Sequence, residues 1–121
     1  MSIVAPTGFV AAGGAGGIKA NDALDVSIVA TADGRAVPAA GVFTSNLAAA
    51  APVQVSRAHL EAAHGKAAGV ILTSGNANAA TGAAGRAACA RLCDALAAPR
   101  AAALRLVHGC DHAGKPRLGH S

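Results

Sequence analysis

The chain has 121 residues and 53% hydrophobic composition, but 35 positions are Ala beside 15 Gly, so its core is thinner than that percentage suggests. The length suits one modest domain rather than a two-domain enzyme, and the absence of a fixed Gly period or heptads argues against collagen and coiled coil. The net charge of +4 belongs mostly to the end of the chain: residues 1–99 carry six basic against five acidic side chains, whereas residues 100–121 carry Arg100, Arg105, Lys115 and Arg117 against Asp111 alone.

From the amino terminus, Ala5-Pro-Thr-Gly-Phe-Val10 leads into the cluster Gly13-Gly-Ala-Gly-Gly-Ile-Lys19. A dinucleotide fingerprint starting at Gly14 would need Gly where Lys19 stands, and the Walker pattern is missing too. A close-packed backbone crossing is the better reading. Leu24 to Ala30 alternates in part, with Leu24, Val26 and Ile28 on one face and Asp25 and Ser27 on the other, as in a half-buried strand. Asp33-Gly34 supplies a turn into a second strand, Val37 to Thr44, which makes a hairpin. Pro52 to Val55 reads as a third short strand, and Ser56 as the N-cap of a short helix through about His64, closed by Gly65. Ala67 to Leu72 reads as a buried apolar strand. Thr81 caps a helix over about Ala83 to Ala97, with Ala87, Ala90, Leu92, Ala95 and Leu96 as its contact face. The interleaving defines an α/β fold, a mixed sheet with two helices covering one side.

The stretch richest in possible chemistry is Thr73-Ser-Gly-Asn-Ala-Asn-Ala-Ala-Thr-Gly82, which joins a strand to a helix. Gly, Asn, Ser and Thr at this density imply backbone in unusual regions, with side-chain amides replacing lost ladder bonds. Loops of this kind form ligand sites at strand ends, but they also arise simply from turn and helix capping. Phe9 and Phe43 are too few aromatics for single-strand nucleic-acid binding. No basic segment precedes an apolar one at the amino terminus. The longest uncharged stretch, Ala36 to Ser56, is broken by Pro38, Asn46, Pro52 and Gln54, so no membrane span is expected. Three Cys without a leader point to reduced thiols and a cytoplasmic location.

The motifs Ala5-Pro-Thr-Gly-Phe9, Ala11-Ala-Gly13, Gly17-Ile-Lys19, Ala40-Gly-Val-Phe-Thr44, Ala50-Ala-Pro-Val53, Ser56-Arg57 with Leu60, and Ser74-Gly-Asn-Ala-Asn-Ala79 with Thr81-Gly82 run in order over about residues 4–97. In this order they resemble the amino-terminal part of the bifunctional ornithine acetyltransferase/N-acetylglutamate synthase family of arginine biosynthesis. The resemblance implies a precursor that cuts itself at an Ala-Thr bond into α and β chains, assembled as an α2β2 heterotetramer. It also implies a new amino-terminal Thr that takes an acetyl group from N-acetylornithine, or acetyl-CoA, and passes it to glutamate. The free α-amine would serve as base for its own hydroxyl, and a Ser-Thr-Gly motif would form the oxyanion hole. No cofactor or metal is implied. The signature-loop residues Ser74, Gly75, Asn76, Asn78, Thr81 and Gly82 are expected to shape the loop, and no catalytic residue is assigned.

The chain departs from the family pattern after its last clear helix, where Arg105-Leu-Val-His-Gly-Cys-Asp-His112 stands in place of Ser-Thr-Gly-Val-Ile. Codons CGC CTC GTC CAC GGG TGT GAT C would encode that stretch. Dropping their first base gives GCC TCG TCC ACG GGT GTG ATC, which reads Ala-Ser-Ser-Thr-Gly-Val-Ile. A one-base shift between about Ala97 and Arg105 is therefore expected, dividing the chain into an α-chain portion (1–98) and a basic, out-of-frame, poorly ordered tail (99–121). Such a fragment, lacking the cleavage site and nucleophile, is expected to be inactive alone; the alternative is a small non-catalytic structural or interaction domain. The Ala30-Thr31 pair sits at a strand end in a context unlike the family's. Cys89 and Cys93, four apart on a helix, read as core thiols; a zinc site with His108, Cys110 and His112 would lack finger spacing. His59 and His64 read as solvated. A partial sheet would leave an open edge and an uncovered apolar face, favouring aggregation or a molten state.

Overall fold

The computed structural model describes residues 2–75, 78–97 and 106–111. A four-stranded sheet is built from β1 (Phe9–Gly14), β2 (Val26–Thr31), β5 (Gly69–Ser74) and β6 (Leu106–Asp111), in that spatial order. β1, β2 and β5 are antiparallel neighbours, and β6 joins β5 in parallel. A second, two-stranded sheet pairs β3 (Val37–Pro38) with β4 (Lys66–Ala67). Helices α1 (Ala51–Ala62) and α2 (Gly82–Ala97) lie against each other, and α1 also runs beside β6. The mixed sheet with covering helices is the expected α/β class. Among the described residues no helix is long and apolar enough to cross a membrane.

The core forms where α2 meets β2 and β5. Alternation in β5 sends Gly69, Ile71 and Thr73 inward, and Ile71 is fully buried with Ala68 and Cys93. Val26, Ile28, Leu92 and Leu96 pack around them. The buried stripe of α2 runs through Gly85, Cys89 and Cys93 at four-residue spacing, so the expected contact positions Ala87 and Ala95 are exposed. Ala51, Val55 and Cys89 make a second cluster that joins the two helices. β5 is buried on one face only, not on both as its apolar run suggested.

Several local expectations are corrected. The glycine-rich Phe9–Gly14 is an edge strand, and both its faces are exposed. Leu24 is 71% exposed while Asp25 is buried, because β2 begins at Val26 and the Asp25 carboxylate turns into the preceding loop. The strand expected over Val37 to Thr44 shrinks to Val37–Pro38 and makes no hairpin with β2, whose two edges are taken by β1 and β5. Beyond it, the chain crosses α1, with the Arg57 guanidinium 5.4 Å from the centroid of the Phe43 ring and donating to the Thr44 carbonyl at 3.0 Å.

Pro52–Val55 is helix rather than strand, and Ser56 is buried inside it instead of capping it. Pro in the first turn lacks only an N–H that would have no intrahelical partner there. At the exit, His64 and Gly65 both take positive φ. Their N–H groups return to the carbonyls of Glu61 (3.1 Å) and Leu60 (2.9 Å), which closes the helix through a paired C-terminal turn.

Candidate functional site

Two loops meet at the carboxyl end of β5. The first, Gly16 to Lys19, wraps around the Asp25 carboxylate, which accepts backbone N–H bonds from Gly16 (2.5 Å), Ile18 (2.6 Å) and Lys19 (2.9 Å). These donors, Gly16 foremost, hold the Asp25 carboxyl below its usual range, since each stabilises the charged form. A cradle of backbone N–H groups is what a phosphate loop offers. Here the chain's own carboxylate fills it, a structural reason for the failed nucleotide motif.

The second loop starts at Ser74, whose N–H donates to the Asp25 carbonyl at 2.9 Å. Gly75 follows at φ +98, and a Cβ there would lie 3.0 Å from Lys19 Cγ and 3.4 Å from Ile18 Cγ2. Gly17-Ile-Lys19 and Ser74-Gly75, distant in sequence, are therefore packed together. Lys19 Nζ reaches the Leu24 carbonyl at 3.4 Å. Beside this junction opens a pocket of about 230 Å³ lined by Gly13, Leu24, Asp25, Ser27, Leu72 and Ser74.

Asn78 ties the rest of the loop to both helices. Its amide donates to the Gly85 carbonyl (3.2 Å) and Cys89 Sγ (3.1 Å), and its Oδ1 accepts from the Thr81 hydroxyl at 2.6 Å. Its own carbonyl accepts from Ala51 N–H at 3.3 Å, at the start of an α1 whose N-cap residue, Ala50, supplies no side-chain cap. Gly75, Asn78, Ala80 and Gly82 all take positive φ, the unusual backbone expected of this composition. Gly85 is required for fit, because a Cβ there would run into Thr81 and come within 2.8 Å of Asn78 Oδ1. Thr81 and Gly82 also line a second pocket of about 210 Å³ with Gln54 and Arg86. Of the six signature residues, Ser74 and Gly75 face the Lys19 loop, Asn78, Thr81 and Gly82 face the helices, and Asn76 lies outside the described residues.

The remaining candidates are placed apart from this site. Thr31 is buried; its hydroxyl donates to the Arg35 carbonyl at 2.9 Å and its N–H is a peptide group bonded to Ala68 at 2.9 Å. A second Ala-Thr pair, Ala80-Thr81, has its hydroxyl engaged by Asn78. Cys89 and Cys93 are buried free thiols, and burial raises both, Cys93 to about 11, so neither is a ready thiolate. Among the described residues no group of three or more His, Cys, Asp or Glu could hold a metal ion, and His112 lies outside them. His64 is exposed and His59 half-buried.

Sequence reasoning missed Asp25, which the alternation placed on a solvent face. The available signal was an acidic residue close behind a glycine cluster that matches no ligand motif.

A helix-covered mixed sheet with a Gly/Asn-rich strand-to-helix loop defines the class, an α/β domain with its candidate site at a strand end. Residues 10–108 match the ArgJ family model, and the chain belongs to that family. It is 52% identical over 85 residues to the arginine biosynthesis bifunctional protein ArgJ of Thermobifida fusca, covering 70% of this chain and 21% of that protein. The Mycobacterium bovis protein of the same name is 49% identical over 85 residues, with 70% and 20% covered. In structure the chain is similar to the ornithine acetyltransferase of Mycobacterium tuberculosis solved with ornithine, with TM-score 0.74, 39% identity and coverage of 92% of this chain and 60% of that one. It is also similar to the Bacillus halodurans ArgJ protein, with TM-score 0.75, 27% identity and coverage of 86% and 53%. The chain thus spans about a fifth of the length of the curated relatives it matches.

Proposed function

We propose that this chain is the amino-terminal part of a glutamate and amino-acid N-acetyltransferase of arginine biosynthesis. The whole enzyme would move an acetyl group from N-acetylornithine or acetyl-CoA to glutamate through an acetyl-threonine intermediate, in the cytoplasm, as α2β2. The observation that carries the reading is the family match over residues 10–108, together with the likeness to an enzyme solved with ornithine. Residues 1–98 are the α-chain portion, and the signature loop serves as scaffold: Asn78 and Thr81 spend their polar atoms on the loop and helices.

By this reading the chain alone transfers no acetyl group, since neither Ala-Thr pair presents a free amino-terminal Thr. The assay is acetyl transfer from N-acetylornithine to glutamate, with and without co-expression of the remaining length of a relative, the Ser-Thr-Gly motif and β portion included. Activity of the chain alone overturns the reading, and activity restored only on co-expression supports it against a non-catalytic interaction domain.

We also propose that residues 99–121 are read out of frame. What supports this is that one choice of synonymous codons for the residues that form β6 carries the Ser-Thr-Gly-Val-Ile pattern expected of the family in the next frame. The family match itself runs on to residue 108, into that stretch, so the coding DNA on either side of residue 98 is the deciding observation. If neither neighbouring frame continues into the family pattern with a later Ala-Thr site, the frame reading is wrong.

A further inference from the structure

Helix α2 carries two free thiols one turn apart, Cys89 and Cys93, each only 2% exposed. Their four-residue spacing places both on one helix face, with Cβ atoms about 5–6 Å apart. Cys93 packs with Ala68 and Ile71, and Cys89 with Ala51 and Val55 of α1. The two thiols also lie within electrostatic reach of each other: burial first, and then the Cys89 thiol, pushes the Cys93 thiol up. A buried Cys ordinarily serves as a small apolar side chain. Cys89 differs, because its sulfur accepts a hydrogen bond from the Asn78 amide at 3.1 Å, a donor that favours the thiolate.

We infer that Cys89 and Cys93 form a two-coordinate site for monovalent copper. Ligand number selects the ion. Among the described residues no group of three or more His, Cys, Asp or Glu is placed to hold a metal, so a four-ligand tetrahedral zinc site is not built. Two thiolates alone suit a soft ion, and soft thiolates select Cu(I). A linear sulfur–metal–sulfur unit spans about 4.6 Å, twice a metal–sulfur bond of about 2.3 Å, which matches thiols projecting from adjacent turns. Binding exchanges two thiol protons for one Cu(I): two S–H bonds break, two Cu–S bonds form, both protons leave to solvent, and no electron is transferred. The product carries one net negative charge, and the Asn78 N–H is in place to stabilise it. Entry is from the pocket of about 210 Å³ whose wall includes Ala51, a residue packed with Cys89. The inference does not depend on the acetyl-transfer reading.

The test titrates the full 121-residue chain with Cu(I) under nitrogen, with bicinchoninate as competitor. One ion per chain is expected, in a monomer, with X-ray absorption at the copper edge showing two sulfur neighbours in a linear array. Cys89→Ala and Cys93→Ala each weaken binding by about 100-fold or more, since one remaining thiolate cannot chelate the ion. Cys110→Ala leaves it unchanged. Independently of whether the alanine variants keep their fold, copper held by the folded wild-type chain raises its urea midpoint. A midpoint that stays or falls overturns the inference. So do the absence of binding, three sulfur neighbours, a copper-bridged dimer, wild-type affinity in Cys89→Ala or Cys93→Ala, or loss of binding in Cys110→Ala.

Discussion

Val70 and Ile71 are neighbours in one strand, equally apolar and equally suited to it, yet Ile71 is 0% exposed and Val70 is 38% exposed. The difference lies in what the chain places on each side of the sheet. The inner side receives α2, whose Cys93 is buried with Ile71 and Ala68, with Leu92 and Leu96 filling the flanks. The outer side leaves Val70 and Leu72 exposed, although Thr31 at the end of β2 on the same face is buried beside the Arg35 carbonyl. The hydrophobicity of a strand therefore says how much surface needs covering, and says nothing of which molecule covers it.

That contrast can be broken or sharpened in graded steps. Ile71→Ala should cost about 2–5 kcal/mol by removing a fully enclosed side chain, while Val70→Ala next to it stays within about 0.5 kcal/mol in the chain alone. Urea titration followed by circular dichroism reads both. Gly85→Ala attacks the seat of α2 on the signature loop. Its new Cβ would lie 2.6 Å from Thr81 Cβ, so about 1–3 kcal/mol is lost as the Asn78–Thr81 pair is pushed aside. Ala80→Gly works the other way: a left-handed Ala at φ 57 is strained, and its relief should raise stability by about 1 kcal/mol.

The most confined effect is that of acid on Asp25. Its folded-state pKa lies below the ordinary value, so the folded state binds fewer protons and the stabilisation is present above about pH 4. It is lost as pH falls through the depressed folded value. Asp25→Asn should flatten this limb of a pH–stability curve, and amide exchange at Gly16, Ile18 and Lys19 should rise most in that variant. An unaltered acid limb would mean that the carboxylate does not organise the loop.

Legibility followed the physics of each signal. The strand leading into Ser74 and the helix after Thr81 were readable because a short apolar run, a cluster of turn residues and an Ala-rich stretch succeed one another. The signature loop between them was readable from composition, and its helix attachments follow from a single Asn. β1 was not readable. Phe9–Gly14 is mostly Ala and Gly, which carry no two-residue hydrophobic period, and its strand form comes from pairing with β2. Pro52-Val-Gln-Val55 alternates as a strand would, and only its place in a first helical turn decides otherwise. Asp25 was misplaced because its partners are backbone N–H groups, which no side-chain pattern reveals. The meeting of Lys19 with Gly75 is a tertiary fact, visible in sequence only as two motifs of one family.

The parallel alignment of β6 sets an order of assembly. Antiparallel neighbours β1, β2 and β5 are all present in the first 74 residues, and they can pair as soon as that length is available. A parallel neighbour needs a crossover, here α2, so β6 can be admitted only after the helix has been made. In chain order the strands of the three-stranded part and the Asp25 loop thus all precede α2 and β6. The strand that follows joins an arrangement whose other members precede it, adding the last edge of the sheet and a neighbour for α1.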